Sequence, residues 1–237
     1  MILPWWIALQ FLSSLPVRLK RIPTAAENGR SLLFYPAVGV LFATLLAVLD
    51  RGLAGAPALL HGALLLAAWV ALTGGLHLDG FADTADAWVG GYGDRRRTLA
   101  IMKDPRSGPM AVVALIVLLL LKFTALVTVA PAGHAWLWVP VLARAALLVL
   151  FLTTPYVRPG GLGETLATHV PRSAGWWVVG ACLLAGFMAL GAVMLIGIAT
   201  FAGLRWWLLR RLGGTTGDTA GALVECLEVV LLIGLAV

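Results

Sequence analysis

Carboxylates are scarce in this sequence: eleven Asp and Glu stand among 237 residues, beside seventeen Lys and Arg. Charged residues make up only 12%. Soluble domains run near ~25%, so a water-soluble globular fold is excluded. Cysteine is rarer still, with Cys182 and Cys226 both inside apolar stretches. A disulfide scaffold and a thiolate metal site are thereby set aside, since such thiols behave as small apolar groups. No segment alternates at the short period of a membrane β-barrel; the Leu, Ala and Val runs are too long. Internal repeats, linkers and low-complexity tracts are missing too, so residues 1–237 read as a single domain.

What is present is oil. Hydrophobic residues reach 61% and the mean hydropathy is +0.96. A bilayer core of ~30 Å calls for about 20 apolar residues per helix. Such stretches recur at Leu32–Leu49, Ala58–Thr73, Met110–Ala130, Ala135–Thr153, Trp176–Leu209 and Ala220–Val237. The expectation is an all-α, polytopic transmembrane bundle of about seven spans, with Trp176–Leu209 crossing twice through a hairpin near Gly191–Gly197. Its two helices, at about 16 residues each, would be short for a bilayer. The N-terminal "MILPWWIALQFL" has no basic n-region and is too short to span, so an interfacial or re-entrant helix is expected.

The net charge of +6 speaks of topology rather than nucleic acid. Segments 16–31, 76–109, 155–173 and 204–218 hold fourteen of the seventeen Lys and Arg; the opposite loops hold Arg51 alone. The positive-inside rule places those four segments on the cytoplasmic side of the membrane.

Into one of them falls "GGLHLDGFADTADAW", with Asp79, Asp83 and Asp86 at i, i+4 and i+7. On a helix these carboxylates lie within about 40° of Asp79's direction. Like charges ~6 Å apart repel by ~3 kcal/mol per pair at an effective dielectric of 20. Folding alone has no use for such a cluster, and a hard divalent cation, Mg²⁺ above all, would neutralise it. His77, two residues before Asp79, points elsewhere on a helix and is open to three readings: a base, a hydrogen-bond donor, or no role. Next comes "RRRTLAIMKDPRSGPMA". Its Gly/Pro turn around Asp104 brings Lys103 and Arg106 back over the carboxylates, where they can take the charge of a pyrophosphate. Arg95–Arg97 read better as lipid anchors.

A second constellation, "RRLGGTTGDTAGALVECLE", runs through Gly213, Gly214, Thr215 and Thr216 into Asp218, Glu225 and Glu228. Backbone amides opening a helix make an anion seat, though no Gly-Lys-Ser/Thr completes a P-loop. Asp218 and Glu225 share one helix face. Glu225 either joins the metal site or partners Lys122 or Arg144, two mid-span cations that need counter-ions inside the bundle. Arg144 is also a candidate substrate contact. A transporter would set its charges near the midplane within inverted repeats; here most gather at one face.

Together, "ALQFLSSLPV", "YPAVG", "GGLHLDGFADTADAW", "IMKDPRSGPMAV", "LLKFTAL" and "LGGTTGDTAGALVE" resemble the cobalamin synthase family, the adenosylcobinamide-GDP ribazoletransferases. The resemblance runs along nearly the whole chain. It implies Mg²⁺-dependent transfer from adenosylcobinamide-GDP to α-ribazole or its 5′-phosphate, with release of GMP, as the last assembly step of the nucleotide loop of vitamin B12. In that picture Asp79, Asp83, Asp86, Asp218 and Glu225 hold the metal. Asp79, Asp83 or His77 serves the proton transfer, and Lys103 and Arg106 hold the leaving phosphate. Further expected partners are membrane lipid, a second copy of the chain, or other cobalamin-assembly enzymes.

Overall fold

The computed structural model describes residues 2–237, and of Leu162 the backbone alone. Twelve α-helices follow one another among these residues: α1 (Ile2–Leu12), α2 (Ala25–Ser31), α3 (Tyr35–Gly52), α4 (Ala58–Thr73), α5 (Leu76–Gly90), α6 (Arg95–Ile101), α7 (Pro109–Val129), α8 (Val139–Thr153), α9 (Leu162–His169), α10 (Arg172–Leu190), α11 (Val193–Leu212) and α12 (Gly217–Ala236). The expected all-α membrane bundle is what the chain forms. Six helical segments are long and apolar enough to cross a membrane, or seven if the bent pair α4–α5 counts as one. This is a multi-pass membrane protein.

Local chemistry sets the helix ends. Thr24 and Glu27 close a capping box at the start of α2, satisfying amides that a helix start otherwise leaves free. Proline opens α3, α7 and α8, where its missing N–H costs nothing. Gly74 and Gly75 carry φ of +62° and +73°, a left-handed conformation open mainly to glycine. They end α4 and swing α5 through 88°. The span expected over Ala58–Thr73 is therefore the first half of a broken element, and the acidic segment is its second half.

The α10–α11 hairpin also departs from expectation. Its turn is only Gly191–Ala192, and its arms have 19 and 20 residues, because α10 starts at Arg172 and α11 runs on to Leu212. Neither arm is short for a bilayer.

Burial divides the spans. The apolar windows of α8 and α12 are 72% and 67% buried, against 22% and 17% for α10 and α11. α12 is the axis, packed on α5, α7, α8 and α11. One apolar cluster joins α1, α3, α8 and α12 through Leu12, Phe42, Leu148 and Leu223. A second joins α4, α7, α12 and the turn before α8 through Trp69, Leu126, Trp136 and Leu232.

Four charges lie in this core. Lys122 on α7 donates to Glu225 at 2.9 Å and to Glu228, both on α12, and Arg144 on α8 donates to Glu228. Lys122 also sits over the Trp69 ring at 4.8 Å and Arg144 over Phe42 at 5.1 Å. Two cations face two anions, so the set is neutral.

Candidate active site

The two acidic constellations meet where α5 crosses α12. Gly80 and Gly221 are the reason. A Cβ at Gly80 would lie 2.7 Å from the Asp218 carbonyl oxygen, and one at Gly221 3.2 Å from the His77 Cα. Only hydrogens separate the two backbones, so Asp79 and Asp218 flank one contact. Asp83 lies within reach of the charges of Asp79, Asp86 and Asp218, with Arg158 opposing them.

Asp79 and Asp218 open onto a cavity of about 520 Å³, shared with His77, Lys103, Tyr156 and Arg158. Small-molecule sites run about 300–1,000 Å³. Arg158 donates to Asp218 at 3.0 Å. It is held there by a pair of backbone bonds, Val157 N–H to Thr215 O at 2.9 Å and Thr215 N–H to Pro155 O at 2.8 Å. These tie the loop after α8 to the loop before α12. Gly214 makes the approach feasible, since a Cβ there would collide with the Pro155 carbonyl. Burial raises the Tyr156 phenol above its ordinary range, and the Asp218 charge adds to the effect.

Several residues expected in the site stand elsewhere. Asp86 accepts from the amides of Gly108 at 2.5 Å and Ala111 at 2.9 Å. It caps the start of α7 from outside, a use of its charge that the helix dipole favours. Glu225 is 2% exposed and bound to Lys122, and Arg144 is sealed against Glu228. Neither borders the cavity. Thr215 and Thr216 are buried; Thr216 caps α12 by accepting from the Thr219 amide. Gly213 ends α11 in a left-handed conformation. Arg106 and Asp104 pair with each other at 2.7 Å, and the Arg106 hydrogen bonds hold the Asp104 carboxyl down at about 2. Of the basic turn, Lys103 alone borders the cavity.

Arg158 and Tyr156 were not expected here, Arg158 having counted only toward the charge of its loop. "PYVRPGGLG" has the same Arg-among-Pro-and-Gly composition as "KDPRSGP", and that likeness was the available signal. Gly161 and Gly163 lie against the Tyr156 ring.

Among the described residues, no three His, Cys, Asp or Glu groups stand close enough to hold a metal ion by themselves. The donor set still suits a hard cation, because Mg²⁺ takes one or two carboxylates and completes its shell with water and substrate phosphate oxygens.

Fold and cavity define a class: a polytopic helical membrane protein with a carboxylate-lined pocket flanked by Lys103 and Arg158. The chain belongs to the cobalamin-5-phosphate synthase family, whose model matches residues 4–236, and it is accordingly an enzyme of cobalamin biosynthesis, a transferase. It is 61% identical over 240 residues to an adenosylcobinamide-GDP ribazoletransferase of Pseudomonas fluorescens strain SBW25, covering 99% of each chain. A second such enzyme, from strain Pf-5, is 63% identical over 241 residues, again covering 99% of each. One from Pseudomonas putida strain GB-1 is 59% identical over 236 residues, covering 99% of this chain and 98% of that one. No solved structure matches.

Proposed function

We propose that this chain joins α-ribazole, free or 5′-phosphorylated, to the corrinoid half of adenosylcobinamide-GDP and releases GMP, with Mg²⁺ as cofactor. The observation that carries the reading is the meeting of Asp79 and Asp218 beside Lys103 and Arg158 at one cavity. The relatives' shared activity supports the same choice of substrates.

The acceptor hydroxyl attacks the phosphorus next to the corrinoid side. A new P–O bond forms, the bond to the bridging oxygen of the pyrophosphate breaks, and GMP leaves with that oxygen. The hydroxyl proton passes to a cavity carboxylate, with Asp79 the best placed and Asp83 behind it. Lys103 and Arg158 take up charge on the departing phosphate. Asp79 and Asp218 would hold Mg²⁺, while Asp83, which does not line the cavity, adds negative charge nearby. That ion would neutralise charge shared between the carboxylates and the phosphates. The cavity opens among the basic loops, which supports a site on the cytoplasmic face of the inner membrane.

Purified protein given adenosylcobinamide-GDP, α-ribazole and Mg²⁺, with no ion gradient, should release GMP and form the joined corrinoid. Asp79→Asn and Asp218→Asn should each lower kcat/KM on the order of 10²-fold. Chelation should stop turnover reversibly. Near-normal rates in both variants would defeat the assignment.

A further inference from the structure

The cavity has two unlike ends. Its mouth carries Asp79, Asp218, Lys103 and Arg158, with Phe11, 37% exposed, at its apolar edge; its interior is bordered by the buried Tyr35, Leu147 and Phe151. Phe11 and Tyr35 stack with centroids 6.3 Å apart and planes 21° apart, while Phe151 and Tyr156 stack at 6.4 Å and 27°. Two aromatic pairs, from α1 with α3 and from α8 with the loop after it, thus border one space. Beside them His77 is 3% exposed, and neither of its ring nitrogens has a hydrogen-bond partner. A neutral imidazole carries one N–H donor, and a buried one left unmade is costly.

Resting on the reading given under Proposed function, we infer that this inner end seats the base of the acceptor nucleoside, a benzimidazole between aromatic rings, with His77 donating to its one free ring nitrogen. The other flat base in the reaction is guanine, on the leaving group. Its edge presents two donor groups and an oxygen acceptor, more than the His77 ring and the Tyr35 hydroxyl, the unpartnered polar groups of these walls, can pair, and the remainder would be left unpaired at a cost. A benzimidazole has no exocyclic donor and a single in-plane acceptor, which matches one imidazole N–H. The nucleoside enters base first, and its hydroxyl end remains at the carboxylate mouth, where the phosphorus is attacked.

Phe11 tests the walls. Phe11→Ala should raise the KM for α-ribazole about tenfold, the upper range for one aromatic stack, and leave the KM for adenosylcobinamide-GDP within about twofold. Phe11→Tyr should restore the wild-type value. A rise confined to the corrinoid donor would place guanine there instead and overturn the inference, as would no change in either KM. His77 tests the polar contact. The α-riboside of indole has carbon in place of the free ring nitrogen. Wild type should prefer α-ribazole over it by at least about tenfold in kcat/KM, and His77→Ala and His77→Asn should each bring that ratio near one. The ratio is internal to each protein, so a smaller active fraction does not alter it. An unchanged ratio in both variants refutes the His77 contact. Wild type inactive with either acceptor would instead refute the transferase reading, a separate outcome.

Discussion

Lys122 shows how one side chain binds a membrane core together. It is fully buried and bonded to both Glu225 and Glu228, while Arg144 holds Glu228 from the other side. Removing one member leaves an uncompensated charge where water cannot reach, at a cost of about 3–5 kcal/mol. Lys122→Met should lower stability in detergent by that order. Lys122→Met with Glu225→Gln, which restores neutrality, should recover more than half of the loss. Thermal unfolding of purified protein reads both, and a double variant no better than the single would show that net charge is not what matters. The same scale separates two aspartates alike in sequence. Asp86→Asn keeps an oxygen for one of the Gly108 and Ala111 amides, which bond separate carboxylate oxygens, and should retain most transferase activity. Asp86→Ala should cost about 1 kcal/mol in stability. An Asp86→Asn protein as inactive as Asp79→Asn would return Asp86 to the metal site.

At the scale of helices, the Gly80–Gly221 crossing sets the distance between the two halves of the site. Gly80→Ala brings a methyl group to 2.7 Å from the Asp218 carbonyl, and that neighbour is backbone with no rotamer to change. The helices must part, at about 1–3 kcal/mol, and Asp79 must move away from Asp218. Activity should fall more than tenfold, whereas Gly203→Ala, on α11 with nothing within 4 Å, should be neutral. Equal losses in both would rule out a local effect. Lone cations in mid-span were legible in the sequence, because Lys122 and Arg144 have few alternatives to pairing inside. The convergence of the Asp79 and Asp218 segments was legible through their joint surplus of carboxylate in an apolar chain. Other parts were hidden. A glycine pair reads alike as a turn or as a break between two halves of one element, so the 88° bend was not foreseen. Asp86 finds its partners in backbone amides that no side-chain pattern reveals. Arg158 reaches Asp218 only because the 155–157 and 215 backbones pair, a long-range contact without local signature.

For the molecule as a whole, charge asymmetry and helix order make one prediction about orientation. With Cys182 and Cys226 replaced by alanine, Arg96→Cys and Ala54→Cys put single thiols on exposed positions at opposite ends of the bundle. A membrane-impermeant maleimide should label Ala54→Cys in intact spheroplasts, and Arg96→Cys only in inverted vesicles. The reverse pattern would turn the enzyme over and place its site outside the cell.

The neutral quartet in the core also has a history in time. A ribosome delivers Lys122 and Arg144 to the bilayer on α7 and α8 well before it synthesises their counter-ions on α12. Until that helix is made, the earlier segments hold cations without their counter-ions, a costly state inside a bilayer unless the side chains reach the headgroups. A chain cut short ahead of α12 therefore keeps two unneutralised cations in its apolar segments, and its α7 and α8 should insert less stably than those of the full chain.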